Sequence, residues 1–112
     1  MFKVVDNFLE KEYFNEIQKT MLEGNFPWYH SYGITKEETK KDNFYFVHNF
    51  YRDFSPSSNY FNLLKNFLDK IECKSIIGIK GNTYFKTNKK EIHASHIDYP
   101  FKHKGCLLYI ND

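Results

Sequence analysis

The chain lacks most of what would assign it to a class on composition alone. Only two of its 112 residues are cysteine, Cys73 and Cys106, and they form no Cys-x-x-Cys pair. A disulfide framework or a thiolate zinc site is therefore not expected, and two reduced thiols fit a chain with no secretory leader. The opening Met1-Phe2-Lys3-Val4-Val5-Asp6 has no apolar stretch of signal-peptide length. No segment approaches the roughly 20 apolar residues of a membrane span, so a soluble, cytoplasmic protein is expected, with no membrane partner. Charge of one sign is missing too: 16 Lys and Arg stand against 14 Asp and Glu, a net +2. Such a balance gives little attraction to nucleic acid or anionic lipid. The short basic runs Lys40-Lys41 and Lys89-Lys90 read as solvated loops, and internal repeats and low-complexity tracts are absent.

What is abundant is aromatic: 12 Phe, 9 Tyr and 1 Trp, a fifth of the chain. Such residues favour strands and supply large core volumes. The length suits one domain, residues 1–112.

Phe2 to Val5 reads as a short first strand, with Asp6 or Asn7 capping the helix that follows. Leu9, Tyr13, Ile17 and Met21 step by four along that helix, and Gly24 offers a left-handed stop. Pro27 makes Phe26 to His30 irregular, and the polar stretch Gly33 to Asp42 reads as a loop. Phe44 to Tyr51 is dense in strand formers, as in a strand covered on both faces. Ser55-Pro56-Ser57-Ser58 then caps a second helix, with Phe61, Leu64, Phe67 or Leu68, and Ile71 on one side. After Cys73 the texture is β: Ser75 to Phe85, a polar turn at Lys86 to Lys90, Ile92 to Tyr99, and Cys106 to Ile110. Two helices to about residue 72, then strands, is an α+β order rather than alternating βαβ.

The chemistry-bearing segment is Ile92-His93-Ala94-Ser95-His96-Ile97-Asp98. Side chains two apart on a strand project from one face, so His96 and Asp98 point together. An imidazole and a carboxylate so placed supply two corners of the facial triad that holds non-haem Fe(II). The spacing by itself is common, since five histidines and six aspartates produce a His-x-Asp by chance in roughly one chain in four of this length. His93 falls on the opposite strand face, His103 sits in the polar stretch Lys102-His103-Lys104, and His30 and His48 reach the pair only if tertiary folding brings them there. His48, inside an aromatic strand, reads as a packed, hydrogen-bonded histidine. Lys80, Asn82 and Tyr84 share one strand face by parity. The Trp28-Tyr29 pair reads as a hydrophobic plug over the first helix rather than a substrate-contacting loop.

Several phrases in order sharpen this. Ile79-Lys80-Gly81-Asn82-Thr83-Tyr84-Phe85, the polar turn, His96-x-Asp98 and Leu107-Leu108-Tyr109-Ile110-Asn111-Asp112 together resemble the prolyl 4-hydroxylase-like branch of the 2-oxoglutarate/Fe(II) oxygenases. In that branch the strand after the His-x-Asp ends in a similar "LLYLND" phrase. Its small phage and marine bacterial members also resemble the chain at Phe26-Pro27-Trp28-Tyr29 and His48-Asn49-Phe50-Tyr51. The resemblance implies N-terminal helices followed by the first part of a double-stranded β-helix, or jelly-roll, core, with His96 and Asp98 as metal ligands. Fe(II) and 2-oxoglutarate are the implied cofactors, with ascorbate as a further candidate. Tyr84 and Asn82 are the candidate cosubstrate contacts. The reaction it implies splits 2-oxoglutarate to succinate and carbon dioxide and hydroxylates a substrate that the sequence does not name. The family's Gly-rich turn, distal histidine and carboxylate-binding Arg or Lys are expected beyond Asp112, so the chain reads as a partial oxygenase domain, inactive alone. Two other classes stay open. One is a non-catalytic, aromatic-rich module that binds single-stranded nucleic acid or protein, which the near-neutral charge disfavours. The other is a cupin-like metal protein using the same pair with zinc.

Overall fold

The computed structural model describes residues 3–32, 44–85 and 99–111. It is a mixed α+β structure: helix α1 (Lys11–Leu22), strands β1 (Tyr29–Tyr32), β2 (Phe44–Arg52) and β3 (Ser55–Pro56), a 3-10 segment (Asn59–Leu64) running into helix α2 (Lys65–Lys70), and strand β4 (Ile79–Thr83). Among the described residues three strands thus lie between the two helices, where the sequence pattern places one, Phe44 to Tyr51. Neither helix is long and apolar enough to cross a membrane.

The sheet is antiparallel and centred on β2. Phe46 is paired with both His30 of β1 and Thr83 of β4, and Tyr51 with both Pro56 of β3 and Ile79 of β4. Because a strand has two edges, β1 and β3 share one edge of β2, and β4 takes the other. Between Asn49 and Tyr51 the register with β4 shifts, so Phe50 is the extra residue of a bulge. The β2–β3 hairpin turns on Asp53 and Phe54, at φ 52° and 63°. Two left-handed residues in a two-residue loop match the right-handed twist of the strands. Asp tolerates that region and Phe does not; the Tyr51 hydroxyl, donating to the Phe54 carbonyl at 3.0 Å, ties the turn down.

One sheet face carries Phe46, His48 and Phe50, and Phe50 packs with Ile17 and Met21 of α1; Ile17 and Phe50 are the largest fully buried side chains. Leu9, Met21, Phe26 and Leu64 complete that core, with Leu108 and Ile110 packed on it. The step-by-four stripe of α1 therefore forms as expected. The helix boundaries do not. Asn7 adopts φ 54° in a turn, and α1 starts at Lys11 behind Glu10, whose side chain makes no capping hydrogen bond. At the other end Glu23 turns extended (ψ 154°) and stops the helix before Gly24 is reached.

Other expectations also need correction. Lys3 to Val5 form no strand, since none of the described residues pairs with them, and Val4 and Val5 are exposed. Tyr29 and His30, read as irregular, belong to β1, since the β2 edge offers them a ladder. Strand β4 is shorter than the expected 75–85. Residues 106–110 join no ladder among the described residues, although Leu108 and Ile110 turn inward alternately and the Gln18 amide donates to the Ile110 carbonyl at 2.7 Å. The expected loop at 33–42 and the turn at 86–90 lie outside the described residues, as does nearly all of the strand at 92–99.

Gly81 of β4 faces α1 where there is no room for a side chain. A Cβ there would sit 3.1 Å from the Met21 methyl and 3.4 Å from the Phe50 and Trp28 rings. Gly81→Val is expected to destabilise the fold by about 1–3 kcal/mol, the usual cost of overpacking. A urea midpoint lowered with an unchanged m-value is the check.

Candidate functional site

His96 and Asp98, the expected iron ligands, lie outside the described residues, as does His93. Among the described residues no three His, Cys, Asp or Glu side chains gather as a metal would require.

The expected cosubstrate contacts are described. Lys80, Asn82 and Tyr84 project from the face of the sheet opposite to Gly81, as their alternation requires. There they meet Tyr45, Val47 and Asn49 of β2, with Val47 paired to Asn82 and Asn49 to Lys80. Tyr84, 48% exposed, stacks on Tyr45 with ring centroids 5.2 Å apart and planes 13° off parallel. The Lys80 ammonium lies 3.4 Å from the Tyr45 hydroxyl and 5.6 Å from its ring centroid. Tyr45 is thereby buried, and the two-strand patch carries one cation, two amides (Asn49 and Asn82) and the exposed phenol of Tyr84 side by side. Such groups suit a small anionic, hydrogen-bonding ligand.

A second constellation lies at the shared edge of β2, between the start of β1 at Tyr29 and the end of β3 at Pro56. A cleft of about 570 Å³ opens there, lined among others by Tyr29, His48, Asn49, Arg52, Ser58 and Asn59. His48 is buried, 4% exposed, and both its ring nitrogens are engaged. Nδ1 lies 2.8 Å from the Pro27 carbonyl oxygen and Nε2 2.7 Å from Ser58 Oγ. A carbonyl can only accept, so Nδ1 carries the hydrogen; in the neutral ring Nε2 then accepts, and the Ser58 hydroxyl donates to it. Ser58 Oγ in turn accepts from the Tyr60 backbone N–H at 3.0 Å, which is the helix cap the sequence suggested. The packed reading of His48 is correct, with the Phe26 ring tilted against it at 4.3 Å and the Phe50 ring edge-on at 4.6 Å. Its serine partner went unforeseen. The signal was the short hairpin at Asp53-Phe54, which folds residues 57 and 58 back along β2: Ser57 donates through N–H to the Phe50 carbonyl and through Oγ to that of Asn49.

The aromatic pair at 28–29 splits. Trp28 is the plug, half-buried against Phe26, its indole N–H donating to the Met21 carbonyl at the end of α1 at 3.1 Å. Tyr29 is 62% exposed at the cleft. His103 is exposed and donates through Nδ1 to the Phe101 carbonyl at 2.9 Å.

No protein-family model, curated protein or solved structure matches the chain.

Proposed function

We propose that the chain is part of an Fe(II)- and 2-oxoglutarate-dependent oxygenase, in which His96 and Asp98 serve as two of the iron ligands for hydroxylation of a substrate at the expense of 2-oxoglutarate. The observation that carries the reading is the order of phrases: the Lys80-Gly81-Asn82-Thr83-Tyr84 strand, His96-x-Asp98, then Leu107 to Asp112. One imidazole and one carboxylate form a donor set suited to Fe(II), leaving positions free for cosubstrate and oxygen. Bound iron would supply the oxidising chemistry, and the chain's own residues would set who comes near it. The cation of Lys80, the Asn82 amide and the Tyr84 hydroxyl, together on the second face of the sheet, fit the needs of a dicarboxylate. An antiparallel sheet is also the material from which a jelly roll is assembled.

The test is an anaerobic titration with Fe(II) and 2-oxoglutarate, read by the visible charge-transfer band that a keto acid chelated to ferrous iron gives. His96→Ala and Asp98→Ala should each weaken iron binding by more than about 100-fold, beyond the range usual for residues outside the ligand set, with unchanged far-UV circular dichroism. Equal binding by wild type and both variants would sink the proposal. Tight zinc binding with no response to 2-oxoglutarate would favour the cupin-like reading instead.

A further inference from the structure

The His48–Ser58 pair is a constellation that iron chemistry does not use. A serine hydroxyl is a weak nucleophile until a neighbouring base takes its proton, and the base must be held in the correct tautomer by a third group. All three parts are here: Ser58 Oγ donating to His48 Nε2 at 2.7 Å, His48 Nδ1–H donating to the Pro27 carbonyl at 2.8 Å, and that carbonyl as the orienting acceptor. His48 is clamped by the rings of Phe26, Phe50 and Tyr60, so its orientation is fixed by packing as well as by hydrogen bonds. The Tyr60 N–H on Oγ, at 3.0 Å, stabilises negative charge growing on that oxygen. Both side chains line the cleft, so the nucleophile is not sealed in the core.

We propose that Ser58 is an activated nucleophile and that the cleft beside it accepts small acyl esters, an acyl-transfer site separate from the proposed iron centre. Oγ attacks the ester carbonyl carbon and its proton passes to His48 Nε2. The tetrahedral intermediate collapses with cleavage of the carbon–oxygen bond, and Nε2 returns the proton to the departing alcohol. Water then adds to the acyl-serine by the same route in reverse, releasing the acid and restoring Ser58. Asn59 and Arg52 line the same cleft. Arg52 brings a guanidinium to the side of the developing oxyanion. The cleft thus accommodates a short acyl chain and a polar or aromatic alcohol, the latter beside Tyr29.

The test treats the intact chain, in excess chelator so that iron chemistry is silent, with a fluorophosphonate and with 4-nitrophenyl acetate. Expected is one phosphonyl adduct, mapped by peptide mass spectrometry to Ser58, with the fluoride lost and an oxygen–phosphorus bond formed. A nitrophenolate burst of about one equivalent should accompany it. Ser58→Asn keeps a capping oxygen and should abolish both signals without loss of fold. His48→Asn retains a donor for the Pro27 carbonyl while removing the base, and should slow labelling by about 100-fold. An adduct on Ser57 as fast as on Ser58, a burst surviving in Ser58→Asn, or no adduct on the folded wild-type chain would each overturn the proposal. None of these outcomes bears on iron binding, so the two readings stand or fall apart.

Discussion

Phe50→Ala should cost the fold about 3–5 kcal/mol, the range for truncating a buried phenylalanine. Phe50 is 2% exposed and sits where three elements meet. Its ring lies 4.6 Å from that of His48 and 5.9 Å from that of Phe26, and its edge approaches within 3.4 Å of where a Gly81 side chain would begin. Collapse into the space left behind is obstructed because Phe50 is the bulge residue of β2, fixed by register shifts on one edge and by the Ser57 N–H on the other. A domain of this size holds about 5–15 kcal/mol in total, so the variant should be partly unfolded at 37 °C. The check is a urea or thermal midpoint followed by both far-UV and tyrosine signals. A loss below about 1 kcal/mol would mean that the core repacks around the gap. The effect also reaches the cleft: with Phe50 gone, His48 loses one wall, and labelling at Ser58 should slow even where the variant remains folded.

Local periodicity made the two helices and the central strand legible, and it did so for a shared reason. The Tyr13, Ile17, Met21 stripe and the Phe61, Leu64, Leu68 side each specify a buried face within a dozen residues, and Phe44 to Tyr51 specifies a strand by density of aromatics. Elements that depend on a partner were not legible. Tyr29 to Tyr32 is a strand because Val47 to Phe44 offers it an edge, and Phe2 to Val5, equally strand-like in composition, finds none among its described residues. Lys80, Asn82 and Tyr84 were placed on one face by parity, which survives any error in strand length; what lay opposite them, the Tyr45 ring, required the register. Ser58 could be seen as a cap, since capping is a matter of the next two residues. Its bond to His48 spans a hairpin whose turn carries Phe54 at φ 63°, a conformation that no propensity would assign to phenylalanine.

Tyr13→Phe, the loss of a single oxygen, should destabilise the fold by about 1–3 kcal/mol. In an uninterrupted α-helix the Phe67 N–H would bond to the Leu63 carbonyl four residues back. Here the 3-10 segment meets α2 between them, and the Tyr13 hydroxyl enters the gap, accepting from the Phe67 N–H at 3.1 Å and donating to the Leu63 carbonyl at 2.6 Å. One side chain from α1 thus bonds two backbone groups of another helical segment, and phenylalanine would remove both bonds. The upper half of the range is expected because two bonds are lost together. Should the segment relax and let Phe67 reach Leu63 directly, the loss would fall below about 0.5 kcal/mol, and the inserted hydroxyl would be dispensable. The same oxygen gives a pH signature. Burial raises the Tyr13 pKa above its ordinary 10.0, the Phe67 N–H opposes that rise, and the charges of Glu16 and Asp69 add to it. The folded state therefore favours the protonated phenol, and this contribution is fully present below pH 10 and lost as the pH climbs through the raised folded value. Wild type should accordingly lose stability in that alkaline window by a share that Tyr13→Phe lacks, so that the gap between the two proteins narrows above pH 10. Parallel stability profiles across the window would show that Tyr13 titrates alike in the folded and unfolded chain, and that its hydroxyl is not held as the structure holds it.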